Sequence, residues 1–488
     1  MLPSERDCTS DLPSLRATIK LAEGDLAQHI YDVKFYPYTL PGVDPVFAVC
    51  GDNFIIVCRC LLDKRNAFEN LLELRYEKDS VRDRDGYNNS LAWSQAENGD
   101  PLLCVAGTPQ IRVYNITTQK LETTIIGHGG SILDLAISPI DPTILASCGS
   151  DYSVRIWSLN LPHQKQPLAA ICYGQGHKDQ VLALAWHRNG RFLLSAGMDT
   201  SINLWTMPDD FRDHAGTDKP AMIHYPHFST TELHTDFIDS LQWYNDIILS
   251  HACREDQIIL WRIDNFSSDR SHIPPAPVPT SNAIISSTPV IVPASSISTT
   301  RSAWGGRLQR LIHLDLPASQ VWYNRFSLYH QLGHHPVVVS GNDRSKVFFW
   351  DLQRLEMSHT GEDSAESNES KTASSILPRH LREASSASTA SSSAASVGVA
   401  TVTKKKAKKV KEKVPDQGIS NPFNLIKAHK VIEIPKYSTF AFHQFAWSTD
   451  GQWCVGVGDT GLVNIFHRWE DGVPRLSKES DTTRFSEP

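Results

Sequence analysis

Gly127-His128 opens a stretch that runs through Ser147-Cys-Gly-Ser-Asp151 to Val154-Arg-Ile-Trp157, and Gly176-His177, Ser195-Ala-Gly-Met-Asp199 and Ile202-Asn-Leu-Trp205 repeat its grammar. In both copies the serine precedes the aspartate by four residues and the aspartate precedes the tryptophan by six, and the two histidines stand 49 residues apart. Chance does not readily produce two copies with the same internal offsets, and a spacing in the forties marks a repeat architecture. The four side chains share a physical purpose. A loop histidine, a strand serine, a tight-turn aspartate and a strand tryptophan can satisfy one another's buried polar groups in one hydrogen-bonded chain. Because they recur at equivalent positions, His128, Asp151, His177 and Asp199 belong to the architecture and not to a catalytic site, which would not repeat.

Weaker copies flank these two, each with alternating β-branched and aromatic runs broken by a Gly, Asn or Asp turn. Seven such units are expected, at 31–62, 91–116, 132–159, 181–207, 238–263, 322–352 and 442–469. A period of this size built from strands predicts an all-β fold, a seven-bladed β-propeller of the WD-repeat type over 15–469. The strand-like 15–21 has no other partner, so it is expected to supply the outer strand of the last blade and close the ring. Two stretches break the period: 265–305 is rich in Ser, Pro and Thr, and 357–420 is rich in Ser and Ala before it turns basic. Neither has the apolar density that offsets the entropy of ordering. Both are expected as long disordered inserts between blades, with 1–14 and 470–488 as disordered ends.

With 488 residues, 40% of them apolar and 21% charged, most of the chain can bury a core. Residues 1–14 carry no basic start followed by an apolar run, so no secretory signal is expected, and no run of about eighteen apolar residues offers a membrane span. Nine cysteines are dispersed, with no CxxC pair and no zinc-type histidine spacing. They are expected as buried free thiols of a reducing compartment, with no metal and no cofactor. No Gly-x-Ser-x-Gly elbow, Walker loop or His-Glu-x-x-His pair occurs, so the sequence offers no enzyme chemistry. A general adaptor, such as a ubiquitin-ligase substrate receptor or a histone chaperone, would use the same ring and stands as a second reading.

Within the second insert, 404–413 concentrates seven lysines and one glutamate. It reads as a nuclear localisation signal, against the plainer reading of a solvated loop. Without its charge of +6 the formal net charge falls from −7 to −13. An acidic body favours basic peptides over nucleic acid, and no sequence-specific DNA binding is expected.

Further along, the chain reads Ile223-His-Tyr-Pro-His-Phe-Ser-Thr230, His234-Thr-Asp-Phe-Ile-Asp-Ser-Leu-Gln-Trp243, Asp246-Ile-Ile-Leu-Ser250 and Val321-Trp-Tyr-Asn-Arg-Phe-Ser327. These phrases are not generic repeat sequence. They resemble the Polycomb-group WD-repeat family of EED and extra sex combs, over roughly 15–469 without the inserts. The resemblance implies a nuclear, non-catalytic subunit of Polycomb repressive complex 2. One propeller face would hold a helix of a SET-domain histone methyltransferase, and the other would receive a trimethylated lysine of the histone H3 tail.

By that likeness Tyr31, Trp322 and Tyr323 form an aromatic cage for the trimethylammonium, which has no proton to donate and is held by ring faces at about 0.5–2 kcal/mol each. The family's fourth cage position, four residues before Trp93, is Asn89 in this chain. Tyr87 lies two residues away on the same strand face and is the candidate substitute; otherwise the cage has three walls. Arg325 shares the face of Tyr323 and is expected either to orient the peptide or to hold a structural ion pair. Apart from the resemblance, Tyr31 and Tyr323 would read as ordinary core or rim aromatics.

Overall fold

Strand-length apolar runs joined by Gly, Asn and Asp turns fold each unit into a small antiparallel sheet. The computed structural model describes residues 12–21, 29–62, 66–75, 88–278, 299–357, 421–435 and 440–468. It contains seven sheets. Their inner strands are Ile30–Phe35, Ser90–Gln95, Ile132–Ser138, Val181–Trp186, Ile238–Tyr244, Ser327–Tyr329 and Phe442–Trp447, so the seven expected units are blades 1 to 7. An apolar cluster fills each space between neighbouring blades. The cluster of Ile30, Phe47, Ile56, Trp453 and Ile465 joins blade 7 to blade 1.

The ring closes as expected. Ser14–Lys20 pairs antiparallel with Leu462–His467, which makes it the outer strand of blade 7. The first ordered contact comes slightly earlier than expected, because Lys430 Nζ donates to the Leu12 carbonyl at 3.0 Å and Leu12 is buried between blades 6 and 7. Residues 1–11 and 469–488 lie outside the described residues.

The inserts require a correction, since they run within blades and not between them. The first connects the third and fourth strands of blade 5, Gln257–Ile263 and Leu308–Asp315. The second connects those of blade 6, Lys346–Asp351 and Lys430–Glu433. Their ends are also ordered. Phe266 packs on Phe192, Trp243 and Trp304 with ring centroids 5.1, 5.8 and 5.0 Å away. Thr300–Ser302 adds a fifth strand to blade 4 and Leu425–Ile426 one to blade 5, as Ala221–Ile223 does for blade 3. In each case the connection reaches back to cover the edge of the preceding blade, where unpaired backbone groups would otherwise stand open. Residues 279–298 and 358–420, including the lysine run, lie outside the described residues.

Both sequence-read tetrads are assembled. His128 Nε2 lies 2.7 Å from Ser147 Oγ, which also accepts from Trp157 Nε1 at 2.7 Å, while His128 Nδ1 is 3.0 Å from Asp151. His177, Ser195, Trp205 and Asp199 repeat this at 2.7, 2.8 and 3.1 Å. The glycine before each histidine is required by the tryptophan, since a Cβ at Gly176 would sit 2.5 Å from the Trp205 ring. A third tetrad escapes the sequence pattern: His234 Nε2 and Trp261 Nε1 meet Ser250 Oγ at 2.7 and 3.0 Å, and Glu255 takes the aspartate's place at 2.7 Å. The turn carries one extra residue, and Arg254 adopts a left-handed φ of 58° within it.

Ser195→Ala strips two buried nitrogens of their partner, each worth about 1–3 kcal/mol when left unpaired. The expected loss is about 2 kcal/mol, read from the urea midpoint. Acid should act on the same sites. Burial alone would raise the carboxyls of Asp199 and Glu255, but hydrogen bonds from His177 and His234 and from nearby backbone N–H groups hold both at about 2. Burial also pushes the imidazoles of His128 and His234 down. The unfolded chain therefore binds protons more readily on both counts. Stability should be full above about pH 7, decline as unfolded-state histidines charge near pH 6.5, and fall further from about pH 4 towards 2. A series of urea titrations against pH checks the shape.

Eight of the nine cysteines lie in the described residues, all free and buried, and Cys8 lies outside them.

Candidate functional site

The site is built from a backbone irregularity. In blades 1, 3, 4, 5 and 7 the inner strand slips register at its second residue, so Tyr31, Leu133, Leu182, Asp239 and His443 are bulged out of the ladder. A bulge leaves one residue unpaired and re-aims its side chain. Repeated around a ring, it sets these side chains about the mouth of the central channel at the end where inner strands begin.

Polar side chains of one blade accept from inner-strand N–H groups of the next. Asp32 Oδ2 accepts from Leu91 N at 3.0 Å, Ser90 Oγ from Leu135 N at 3.1 Å, and Asp134 Oδ2 from Leu184 N at 2.8 Å.

Arg325 closes the channel. From blade 6 its guanidinium crosses to blades 3 and 4, with Nη1 2.9 Å from Asp134 Oδ1 and Nη2 2.7 Å from the Leu182 carbonyl and 3.4 Å from that of Leu133. Burial opposes the charge, but Asp134, Asp32 and Asp239 outweigh it and hold the group cationic. Of the two roles expected for Arg325, the structure contains the ion pair, with Asp134; its Nε is buried without a hydrogen-bond partner among the described residues. Beneath it a cavity of about 260 Å³ continues between Lys34, Ala136, Gln242 and Gln444. The mouth is thus a socket with a polar floor.

Tyr31 and Tyr323 each touch a residue of this mouth, and Trp322 precedes Tyr323 on the adjoining turn. Tyr31 is half-buried, its hydroxyl 3.5 Å from Asp52 Oδ1 and its ring 5.5 Å from His443. The backbone N–H of Arg325 donates to the His443 carbonyl at 2.9 Å, and the Arg325 guanidinium lies 5.6 Å from the Tyr323 ring. Tyr31 and Tyr323 are therefore joined through His443 over blades 1, 7 and 6. Burial pushes the Tyr323 phenol up to about 12. Its φ of 58° is left-handed, an uncommon state for a bulky residue that recurs at functional sites. That turn presents Trp322, which is 46% exposed and touches Phe237 edge-on at 5.3 Å.

The fourth position is not filled by Asn89, whose side-chain amide is tied to the Ile132 carbonyl at 3.2 Å. Tyr87 lies outside the described residues. His443 was missed by sequence reasoning, and so was His29, whose ring stacks 6.1 Å from Tyr31. Aligning the inner strands Ile30-Tyr31-Asp32 and Phe442-His443-Gln444 would have found His443. The expectation of no metal came from spacing alone, whereas His29, His443 and Asp459 converge in space.

Comparison with known proteins adds the family. The repeat description "WD domain, G-beta repeat" matches residues 119–158 and 170–206. The chain is 33% identical to the Polycomb protein EED of Chaetomium thermophilum over 96% of its own length and 98% of that relative, and 27% identical to the Polycomb protein esc of Drosophila melanogaster over 66% and 70%. Among solved structures, a chain of ctPRC2 in complex with H3K27me3 and H3K27M superposes with a TM-score of 0.74 at 33% identity, covering 95% of this chain and 100% of that one. A chain of an active polycomb repressive complex 2 in the basal state gives 0.75 at 32% identity, covering 96% and 100%. Sharing both the ring and a third of its residues with EED along nearly its whole length, the chain belongs to the EED and extra sex combs family of Polycomb WD-repeat proteins.

Proposed function

We propose that this protein is the non-catalytic scaffold of a Polycomb repressive complex 2-type histone methyltransferase, and that its channel mouth reads a trimethylated lysine of histone H3. The observation that supports the reading is a mouth floored by Arg325 and Asp134, with Tyr31 against His443, Tyr323 beside Arg325 and an exposed Trp322 next to Tyr323 in sequence. Its charge suits a cation. Asp32, Asp134 and Asp239 surround Arg325, and Lys34 adds one further cation 3.2 Å from Asp32, which leaves one negative charge in excess. The relative seen in ctPRC2 with H3K27me3 supports the same ligand class. A nuclear location follows from the role, with 404–413 as the candidate signal.

Trp322, Tyr323 and Tyr31 are the proposed cage, with Tyr87 as a fourth member if its loop turns inward. A SET-domain methyltransferase and the other Polycomb subunits are the proposed partners, with no sequence-specific DNA contact. Stimulation of the enzyme requires that the peptide-bound ring favour the enzyme's active state over its resting one.

The test is reconstitution with the SET-domain subunit. The two chains should co-purify, and a histone H3 peptide trimethylated at lysine 27 should raise the methylation rate. Co-purification without a rise removes the reader role; association instead with a ubiquitin-ligase core or histone assembly factors establishes the adaptor reading.

A further inference from the structure

Among the described residues, one ligand atom from each of His29, His443 and Asp459 lies within 4.8 Å of the others. We infer that these three side chains form a binding site for a divalent transition metal of the zinc class, and that an ion held there weakens the binding of a cationic side chain in the adjoining socket.

The first argument is what Asp459 does not do. It occupies the turn between the second and third strands of blade 7, Trp453–Gly458 and Leu462–His467, the position at which Asp151 and Asp199 serve the tetrads of blades 3 and 4. The tetrad offsets place Val455 where the serine would stand and Ile465 where the tryptophan would. Asp459 is thereby released from the architecture, and its Oδ1 instead meets His29 Nδ1 and His443 Nε2, each at 2.8 Å. By contrast, His128, His177 and His234 each spend one ring nitrogen on serine and the other on a carboxylate.

The donor set and its geometry are the second argument. Two imidazoles and a carboxylate suit zinc and its first-row neighbours. Bonds of about 2.0–2.1 Å at tetrahedral angles put ligand atoms about 3.3 Å apart, so the two N···O separations open by about half an ångström and the two nitrogens, within 4.8 Å of each other, settle at the same spacing. The frame already exists. Asp52 Oδ2 accepts from His29 N at 3.3 Å, and Asp459 N donates to the Ala441 carbonyl at 3.0 Å. The His29 and Asp459 side chains are 41% and 31% exposed, which leaves room for an ion to enter and for water to complete its shell.

The site should exchange its metal. Binding through Nε2 moves the His443 proton to Nδ1, which is buried and has no hydrogen-bond partner among the described residues. A missing outer-shell acceptor typically lowers metal affinity 10–100-fold. Coupling to the socket follows from proximity, since the His443 ring lies 5.5 Å from that of Tyr31 and a second positive ion there repels a trimethylammonium. This second half rests on the reading of the socket as a methyl-lysine site.

The experiment uses the full chain, stripped with chelator, and titrates zinc chloride by calorimetry into the wild type, His29→Ala and Asp459→Asn. A site in the wild type whose affinity falls at least tenfold in both variants, with unchanged urea midpoints, supports the metal site. Zinc binding that is absent from the wild type, or equal in all three proteins, overturns it. A trimethylated H3 peptide is then titrated with and without zinc. Affinity should fall at least tenfold with zinc in the wild type and stay unchanged in His29→Ala. Equal weakening in both proteins, or none in either, overturns the coupling. A peptide that fails to bind even without zinc removes the socket reading, and the zinc arm still decides the metal site.

Discussion

Asp134→Ala is expected to destabilise the ring by about 3–5 kcal/mol, the usual cost of removing one partner of a buried ion pair. Arg325 is buried in the channel, and Asp134 is the carboxylate in direct contact with it, at 2.9 Å. The same carboxylate accepts from the backbone N–H groups of Leu135 and Leu184 at 3.0 and 2.8 Å. Alanine therefore leaves the guanidinium and the Leu184 N–H facing a methyl group across the seam between blades 3 and 4, while the Leu135 N–H keeps Ser90 Oγ at 3.1 Å. The urea midpoint measures the loss. A charge-removing control separates the ion pair from the backbone contacts: adding Arg325→Met to Asp134→Ala should restore part of the stability, because the stranded charge is gone. If the double variant is no more stable than the single one, the cost lies in the bulge contacts and not in the buried charge.

Trp322→Ala is expected to lower affinity for a trimethyl-lysine peptide roughly 2- to 30-fold, the equivalent of one ring's cation–π contribution of about 0.5–2 kcal/mol. The ring is 46% exposed and leans on Phe237 alone among the described aromatic contacts, so its removal should leave the fold intact. An unchanged thermal midpoint together with weaker binding separates a contact role from a folding role. Trp322→Phe keeps a ring face and should retain most of the affinity. Affinity unchanged in Trp322→Ala would place the ligand elsewhere on the mouth.

The architecture was legible because its determinants are local. Strand runs, turn residues and the Ser-Asp-Trp offsets all lie within one blade, and the closing role of 15–21 follows from counting unpaired strands. The third tetrad was hidden because Glu255 reaches from one residue further along a longer turn, which breaks the offset while preserving the hydrogen bond. The inserts read as lying between blades because the outer strands Leu308–Asp315 and Lys430–Glu433 stand far along the sequence from the third strands they pair with, Gln257–Ile263 and Lys346–Asp351.

The site was only half legible. Tyr31, Trp322 and Tyr323 came from resemblance, since no local pattern distinguishes a cage aromatic from a core one. Arg325 could be read two ways because its partner Asp134 is 191 residues away, on a blade that only ring closure brings opposite. His29 and Asp459 are 430 residues apart and meet only because blade 7 closes on blade 1.

Calorimetric titration of the intact chain with one H3 peptide, trimethylated or unmodified at lysine 27, addresses the socket most directly. The rings around the mouth should favour the trimethylated form by at least about tenfold, since only that form offers a cation with no hydrogen to keep it in water. Equal affinity for the two peptides, or no binding of either, would contradict the socket as a methyl-lysine reader.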